Sequence, residues 1–532
     1  MKKKGITALN ITFKFNYTMG LFDNYIKKTT KEENTTDGFF IGSSEAEGEI
    51  NNSIITLDEV FNDYLDILPQ INHEKFIITG RKGSGKSAIG EYLYYLSNND
   101  PNLFCDFIRK GEIDIELMVQ IGEKEGTLIQ QELLFKWVIL TKILSLIAKN
   151  EAVQDLPEMK HLKLFIERNR GFIDIRKGEI LEIIKTDNFG VQSEYFKRFI
   201  SATLNKEVKI KETKPIFYKL LPYLEEAVVK ILSKDPDNKY VLIFDDLDIG
   251  FSIKDKSNVD NLTSLVRISK YYNNDVFGRN GISSKIILLL RDDIAKYLKF
   301  NADTAKIFAS YEVPIKWYEE SQKWDENNIK LKKFICNRIE KNFIKYNIPY
   351  NKTTIWESFI DESSFYGGAK TSFKYVIDHT FFRPRDLILF FKDISSQVLC
   401  LPISKTDLYS LIGKYANEII CEIYNELSAS FSPNEIDMIF RVLEYHANTN
   451  FKPLFTFDEL KSDLEGIGFN EDVETVINQL FDYSLIGNIC DNEINVSFKF
   501  REKGLEICKL NPNQNIILHY VLKVYFKNHT SK

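Results

Sequence analysis

The segment Gly80-Arg81-Lys82-Gly83-Ser84-Gly85-Lys86-Ser87 fits G-x-x-x-x-G-K-[ST] at every position. Glycines at these points let successive backbone N–H groups turn inward around an anion, where side chains would block them. A helix that begins near Lys86 aims its positive end at the same place. Lys86 can then reach the β- and γ-phosphates of a nucleotide, and Ser87 can ligand a magnesium ion. The whole loop, Gly80, Arg81, Lys82, Gly83, Ser84, Gly85, Lys86 and Ser87, is therefore the candidate phosphate cradle, with ATP and Mg2+ as the implied cofactors.

A second constellation is Val241-Leu242-Ile243-Phe244-Asp245-Asp246-Leu247-Asp248. A buried strand here would deliver Asp245 to the metal, directly or through water, and Asp246 to a water that attacks the terminal phosphate. A strand ending in a solvated acidic turn would show the same letters, but the glycine loop favours the first reading. Two arginines complete the set. Arg291 closes the apolar run Lys285 to Leu290. Arg385 lies in Phe382-Arg383-Pro384-Arg385-Asp386-Leu387, where proline suits a first helical turn and an arginine can point back at nucleotide. Arg383 is the reserve for that role. An exposed arginine in a turn, or a helix entrance held by its own charges, remains the alternative for each.

These residues need elements to hold them. Phe76-Ile77-Ile78-Thr79 predicts a buried strand before the glycine loop, and Lys86 to about Leu96 a helix after it. Leu103 to Ile108, Val241 to Phe244, Lys285 to Leu290 and Tyr311 to Trp317 predict further strands, alternating with helices. That order argues a parallel sheet covered on both faces. Leu57 to Leu68 predicts one helix capped by Thr56. Residues 318 to 425 predict helices only. Pro433 to His446, Phe457 to Leu464 and Val473 to Tyr483 predict three more, followed by strand-like Leu485 to Cys490 and Asn495 to Phe500. Three helices and a two-stranded wing form the winged-helix pattern.

The chain has 532 residues, too many for one core. Hydrophobic content of 44%, charged content of 27% and a net charge of −6 are ordinary for a soluble protein and imply no global pull toward nucleic acid or membrane. Six cysteines form no C-x-x-C pair and six histidines no H-E-x-x-H, which argues against a zinc site or disulfide framework. The apolar helix Leu133 to Ala148 is interrupted by Lys136 and Lys142 and is too short for a bilayer. No apolar leader follows Lys2, Lys3 and Lys4. A cytoplasmic protein without a membrane partner is expected.

The order of glycine loop, D-D-x-D strand, polar strand tip, helical region with an R-P-R entrance and winged helix resembles the ORC/Cdc6-like and STAND branch of the AAA+ superclass. It is most similar to bacterial stand-alone P-loop ATPases that share a G-R-K-G-S-G-K-S loop. The resemblance runs over about residues 40 to 532. It implies an α/β P-loop NTPase core with a parallel sheet of the additional-strand type, a large helical insertion, a helical lid and a C-terminal winged-helix domain. The expected divisions are 1–50, a flexible N-terminal arm with order near Phe39 to Ile41; 51–317, the core with an insertion at about 110–235; 318–425, the lid; and 430–532, the winged-helix domain.

The resemblance also implies ATP-driven switching, with Arg291 at the γ-phosphate or its water and Arg385 acting from the lid. A bacterial regulatory or anti-phage defence role follows from it, with the effector on a separate polypeptide. Two departures stand out. The long stretch between Lys86 and Asp245 requires the insertion. The helix after Arg291 offers Lys296, Lys299 and Lys306 but no arginine before Tyr311, so a trans-acting arginine finger and a ring are not evident.

An ATP-dependent DNA-binding or remodelling factor is the competing reading; a small-molecule kinase would have a compact lid and a shorter chain. From residue 431 onward there are fifteen Asp or Glu and ten Lys or Arg. The helix at Val473 to Tyr483 carries Glu474 and Asp482 and no base. Duplex binding depends on neutralising phosphates, so this surface disfavours DNA. The wing bases Lys499, Arg501 and Lys503 leave it a minor role. Lys86→Ala should abolish ATP binding. Titration calorimetry with a slowly hydrolysed analogue checks this, and an unchanged affinity would mean the loop is idle.

Overall fold

Side chains alternate sides along a strand, and here both sides are apolar. Tyr240, Leu242 and Phe244 join one core, with Ile286, Leu288 and Leu290 of a neighbouring strand. Val241 and Ile243, with Ile287 and Leu289, join another on the opposite face. A sheet built this way must be covered twice. The computed structural model describes residues 34–50, 52, 54–109, 131–153, 155–168, 198–205, 217–247, 256–318, 325–365, 371–428, 430–449, 454–469, 472–489, 496–499 and 510–530.

Five strands form the central sheet: β1 (Ile77–Gly80), β2 (Leu103–Arg109), β3 (Lys239–Asp245), β4 (Lys285–Arg291) and β5 (Glu312–Pro314). All pair in parallel, in the order β2-β3-β4-β1-β5. β4 thus lies between the strand that leads into the glycine loop and the strand that ends in Asp245. One face is covered by the helices Gln131–Lys149, Phe217–Ser233 and Lys256–Lys270. The first two come from the long segment between β2 and β3. The other face carries Ile67, Ile71 and Ile89 from the helices Ile67–His73 and Lys86–Asn99.

The single helix expected over Leu57 to Leu68 is broken. Leu57–Val60 is one turn, with a capping box between Thr56 and Glu59. Ile67–His73 starts afresh after Asp66, whose φ of 52° is left-handed. Asp63 causes the restart: its carboxylate accepts the N–H groups of Ile67 (2.9 Å) and Leu68 (2.7 Å). A short polar side chain that caps a second helix competes with continuation of the first.

Residues 34–50 are strapped onto the second half of the chain. Phe39 and Ile41 are buried in its core. Phe40 exchanges hydrogen bonds with the Asn342 side chain, both at 2.9 Å. Glu49 forms a two-pronged pair with Arg338, both contacts 2.9 Å, and Arg338 also donates to Ile41 O. The order expected near Phe39 to Ile41 therefore extends through this segment, while residues 1–33 lie outside the described residues.

One hydrophobic cluster runs from Leu331 to Phe526. It unites the helices Lys330–Lys345, Ile355–Phe359, Ser372–Asp378, Pro384–Phe390 and Lys405–Leu427 with the C-terminal set Pro433–Thr449, Phe457–Gly466, Val473–Asp482 and Tyr520–Thr530. The C-terminal strands are β6 (Leu454–Phe455), β7 (Ile486–Ile489), β8 (Val496–Ser497) and β9 (Asn515–Leu518), antiparallel, in the order β6-β9-β7-β8. β7 and β8 are the hairpin expected after the three helices. β9 and the last helix were not anticipated. Among the described residues no helix is long and apolar enough to cross a membrane.

Breaking a buried ion pair on one side strands the other charge, at a cost of about 3–5 kcal/mol. Glu49→Ala should therefore destabilise the second half by about that amount and loosen residues 34–50, as read from denaturant midpoints and hydrogen exchange. Unchanged protection of residues 34–50 would contradict the strap.

Candidate functional site

The glycine loop joins the end of β1 to the helix Lys86–Asn99. Gly83 (φ 78°) and Gly85 (φ 99°) take left-handed conformations that favour glycine. A Cβ at Gly83 would also stand 2.9 Å from the Cβ of Arg385. Lys86 Nζ donates to Gly80 O (2.9 Å) and Arg81 O (3.1 Å), so its ammonium sits inside the curve of the loop. The Trp317 indole N–H donates to Ser84 O (2.8 Å) and fixes the loop against the chain after β5.

Asp245, the last residue of β3, is 3% exposed. Burial pushes its carboxyl up; the Ser87 hydroxyl, the Asp246 N–H, Lys86 and Arg109 pull it down. Its Oδ1 accepts the Asp246 N–H (2.9 Å), while Oδ2 is buried without a hydrogen-bond partner. A buried carboxylate oxygen left over beside a serine hydroxyl fits the donor set of a hard divalent cation. Asp246 has a left-handed backbone, φ 55°, and its carboxylate stands 4.0 Å from Arg109 Nε. Asp248 lies outside the described residues.

Arg291 closes β4 in register with Gly80, which brings it to the loop. Its guanidinium is buried and forked onto Asp293, Nε at 3.1 Å and Nη2 at 2.5 Å. Beside it, burial raises the Asp292 carboxyl and Asp293 adds to that, against Arg81 and Lys86.

Arg385 lies on the loop. Its backbone N–H donates to Gly83 O (3.4 Å), its Nε to Ser44 O (2.9 Å), and its Nη1 meets Glu422 (3.3 Å). Arg383 is buried, donates to Lys82 O (3.0 Å), and pairs with Asp386 and Glu426. The loop residues Arg81 and Lys82 turn to the same helix: Arg81 meets Glu426 at 3.0 Å and Lys82 meets Glu422 at 3.2 Å. They were expected as part of the phosphate cradle, but in this structure their side chains are ion-paired to the second half of the chain.

Burial alone would raise the Glu426 carboxyl. Arg383 and Arg81, with Arg291 behind them, override it and hold the group down to about 2.

Three features escaped the sequence reading. Glu422 and Glu426 sit on the helix Lys405–Leu427, with Glu418 one turn earlier. Like charges four residues apart repel on a helix, so three in a row already call for cations facing them. Arg109 ends β2 beside Asp245, stacks on the Phe107 ring at 4.2 Å, and pairs with Glu91 and with Glu47 at 3.1 Å. No spacing rule marks it. Third, a cleft of about 140 Å³ opens beside the loop, lined by Phe61, Tyr64, Leu65, Ile315, Trp317 and Pro384 among others. It exists because the helix breaks at Phe61–Asp66. Its walls are largely apolar and it opens directly beside the glycine loop, with room enough for a small planar group.

A family model, the FunZ-associated C-terminal helical domain, matches residues 329–420. The match covers the helices from Lys330 to most of Lys405–Leu427. No curated protein matches the sequence. Solved structures similar to it include the following two. A Cdc6p from Pyrobaculum aerophilum is 11% identical, covers 89% of this chain and 93% of its own, with a TM-score of 0.26. An ORC2 protein from Aeropyrum pernix, in ADPNP–ADP complexes, is 10% identical, with coverage of 88% and 92% and a TM-score of 0.28.

A carboxyl held down to about 2 from an ordinary 4.5 stabilises the fold above pH 4.5, and that contribution is lost as pH falls through about 2. Glu426→Gln should therefore be clearly less stable than wild type at pH 7, with the two urea midpoints converging toward pH 2–3. A constant difference across the range would show that the charge is not what matters.

Proposed function

We propose that this chain binds ATP with Mg2+ in the cradle Gly80–Ser87, hydrolyses it, and acts as a nucleotide-dependent switch. The observation that carries this is the meeting, at one edge of the parallel sheet, of the glycine loop with Lys86 inside it, the buried Asp245 beside Ser87, and an apolar cleft alongside. Ligands of open α/β sheets bind at this carboxyl edge of the strands. In this reading Gly83, Ser84 and Gly85 present backbone N–H groups to the phosphates, and Lys86 meets the β- and γ-phosphates. Ser87 and Asp245 hold the metal, which supplies charge neutralisation for the phosphates when bound.

Asp246 accepts a proton from, or orients, the attacking water, and Arg291 and Arg385 answer the charge that develops on the terminal phosphate. Both arginines then exchange their present carboxylate partners for phosphate. The base enters the cleft between Phe61, Tyr64 and Trp317. A soluble cytoplasmic regulator of bacterial origin, in a defence or other sensory system, with its effector on a separate chain, is the setting we infer.

The three helices and hairpin at the C-terminus serve as a protein-facing winged helix. Asp482, at the end of the helix Val473–Asp482, pairs with Lys296 of the ATPase core at 3.0 Å. Lys499, a wing base, is itself taken by Asp482 at 3.1 Å. The helix Val473–Asp482 carries no base of its own, and its Glu474 takes Lys461 of the preceding helix at 2.6 Å. These contacts favour docking over the alternative, a DNA-binding factor, in which this helix would enter the major groove.

Asp246→Asn should retain nucleotide binding while turnover falls by about a hundredfold or more. Asp245→Asn should weaken the Mg2+-dependent part of binding itself. Single-turnover assays and calorimetry with and without Mg2+ separate the two, and identical behaviour would refute the division. Anisotropy with a labelled duplex at several salt concentrations decides the alternative: steep, salt-sensitive binding by the full chain would promote it.

A further inference from the structure

Glu418, Glu422 and Glu426 occupy three successive turns of the helix Lys405–Leu427. Each meets a cation, but the settings differ. Glu418 meets Lys392 at 3.0 Å, away from the glycine loop. Glu426 is 6% exposed, between Arg81 at 10% and Arg383 at 3%. Glu422 is 26% exposed, and its partners Lys82 and Arg385 are 31% and 20% exposed, at the longer distances of 3.2 and 3.3 Å. Solvent competes for the Glu422 contacts, whereas the Glu426 contacts are sealed. The same helix therefore carries one fixed tie to the glycine loop and one that can exchange.

The exchangeable tie holds the cations an incoming anion would use. Lys82 belongs to the loop. Arg385 rests on it, with its N–H on Gly83 O and its Cβ in the space a Gly83 side chain would need. Carboxylate and phosphate oxygens present a guanidinium with the same kind of acceptor pair, so one can replace the other. Glu422 Oε2 is the atom that meets both Lys82 and Arg385. One carboxylate thus occupies two cations beside the loop.

We infer that Glu422 is a built-in competitor of the terminal phosphate: a bound nucleoside triphosphate draws Lys82 and Arg385 from it, and the helix Lys405–Leu427 loses this tie while Glu426 keeps its own to Arg81 and Arg383. The consequence passes on by packing. Leu411, Ile412 and Tyr415 of this helix share one core with Val521, Leu522 and Phe526 of the last helix, so a shift of the first moves the C-terminal module. A diphosphate lacks the group that competes and leaves the tie in place. This inference rests on the phosphate-binding reading of the loop and adds to it the way occupancy is reported.

The test uses the full chain, Mg2+, and titration calorimetry with the β,γ-imido analogue of ATP and with ADP. Glu422→Gln keeps the side-chain shape and removes the competing charge. It should tighten the triphosphate analogue by about fivefold, and ADP by under about twofold. Glu418→Gln, the same change one turn away, should alter neither. In an Arg385→Ala background the Glu422→Gln gain should shrink to the share that Lys82 carries, because one of the two cations it frees is gone. Equal tightening for both nucleotides, or an effect matched by Glu418→Gln, would reduce Glu422 to general surface charge and overturn the inference. No tightening, in a wild-type chain that binds both nucleotides and loses them on Lys86→Ala, overturns the inference and leaves the loop's function standing. A wild-type chain that binds neither nucleotide sinks the phosphate-binding reading itself, and the inference with it.

Discussion

Glu426 carries a negative charge into a place from which water is nearly excluded, and two arginines keep it ionised there. Arg81 is part of the glycine loop; Arg383 stands at the entrance of the helix Pro384–Phe390. Arg383 in turn is satisfied by Asp386 and by Lys82 O. The carboxylate is therefore the point where the glycine loop, the middle helices and the long helix Lys405–Leu427 are tied together. A buried pair of this kind adds little net stability over an apolar equivalent. Its effect is on geometry, since charges in a low dielectric tolerate few arrangements. The position of the second half over the loop follows from that restriction.

The sheet supplies the other half of the site. Its strands are apolar on both faces, so helices must cover both, and polar side chains collect at the strand tips. Arg109, Asp245, Arg291 and Gly80 all stand at such tips. The long segment between β2 and β3 does not disturb them, because its described helices pack against one face and share that face's core. The opposite wall of the cleft is made from the broken helix at Phe61–Asp66 and from residues 43–49. Those residues are fixed by the Glu49–Arg338 pair, which belongs to the second half. The cleft is thus shared between distant parts of the chain.

The C-terminal module is bound into the same arrangement. His519 stacks on Phe381 at 4.2 Å, two residues before Arg383, and Tyr520 packs near His379. Lys296 of the core holds Asp482 at the end of the helix Val473–Asp482. One module thus touches both the core beyond Arg291 and the segment that leads into Arg383. A change at the loop has short physical routes to it.

The shape of the loop was legible from sequence alone, because local backbone geometry dictates it: glycines where φ must be positive, a lysine and serine opening a helix, an apolar strand before them. The strands were legible for a similar reason, since runs buried on both faces leave little else for the chain to do. Sequence also placed Asp245 and Asp246 at a strand end and Arg385 at a helix entrance. It could not assign partners. A string of letters places Arg81 and Lys82 in the glycine loop, but only the fold shows that Glu426 and Glu422, more than three hundred residues away, pair with them. The break after Val60 was hidden because Leu57 to Leu68 keeps helical spacing, while the deciding hydrogen bonds come from one carboxylate, Asp63. Spacing reports what neighbours along the chain can do for one another. Only the folded chain decides which distant charges meet, because a buried ion accepts whichever partner the packing brings within reach.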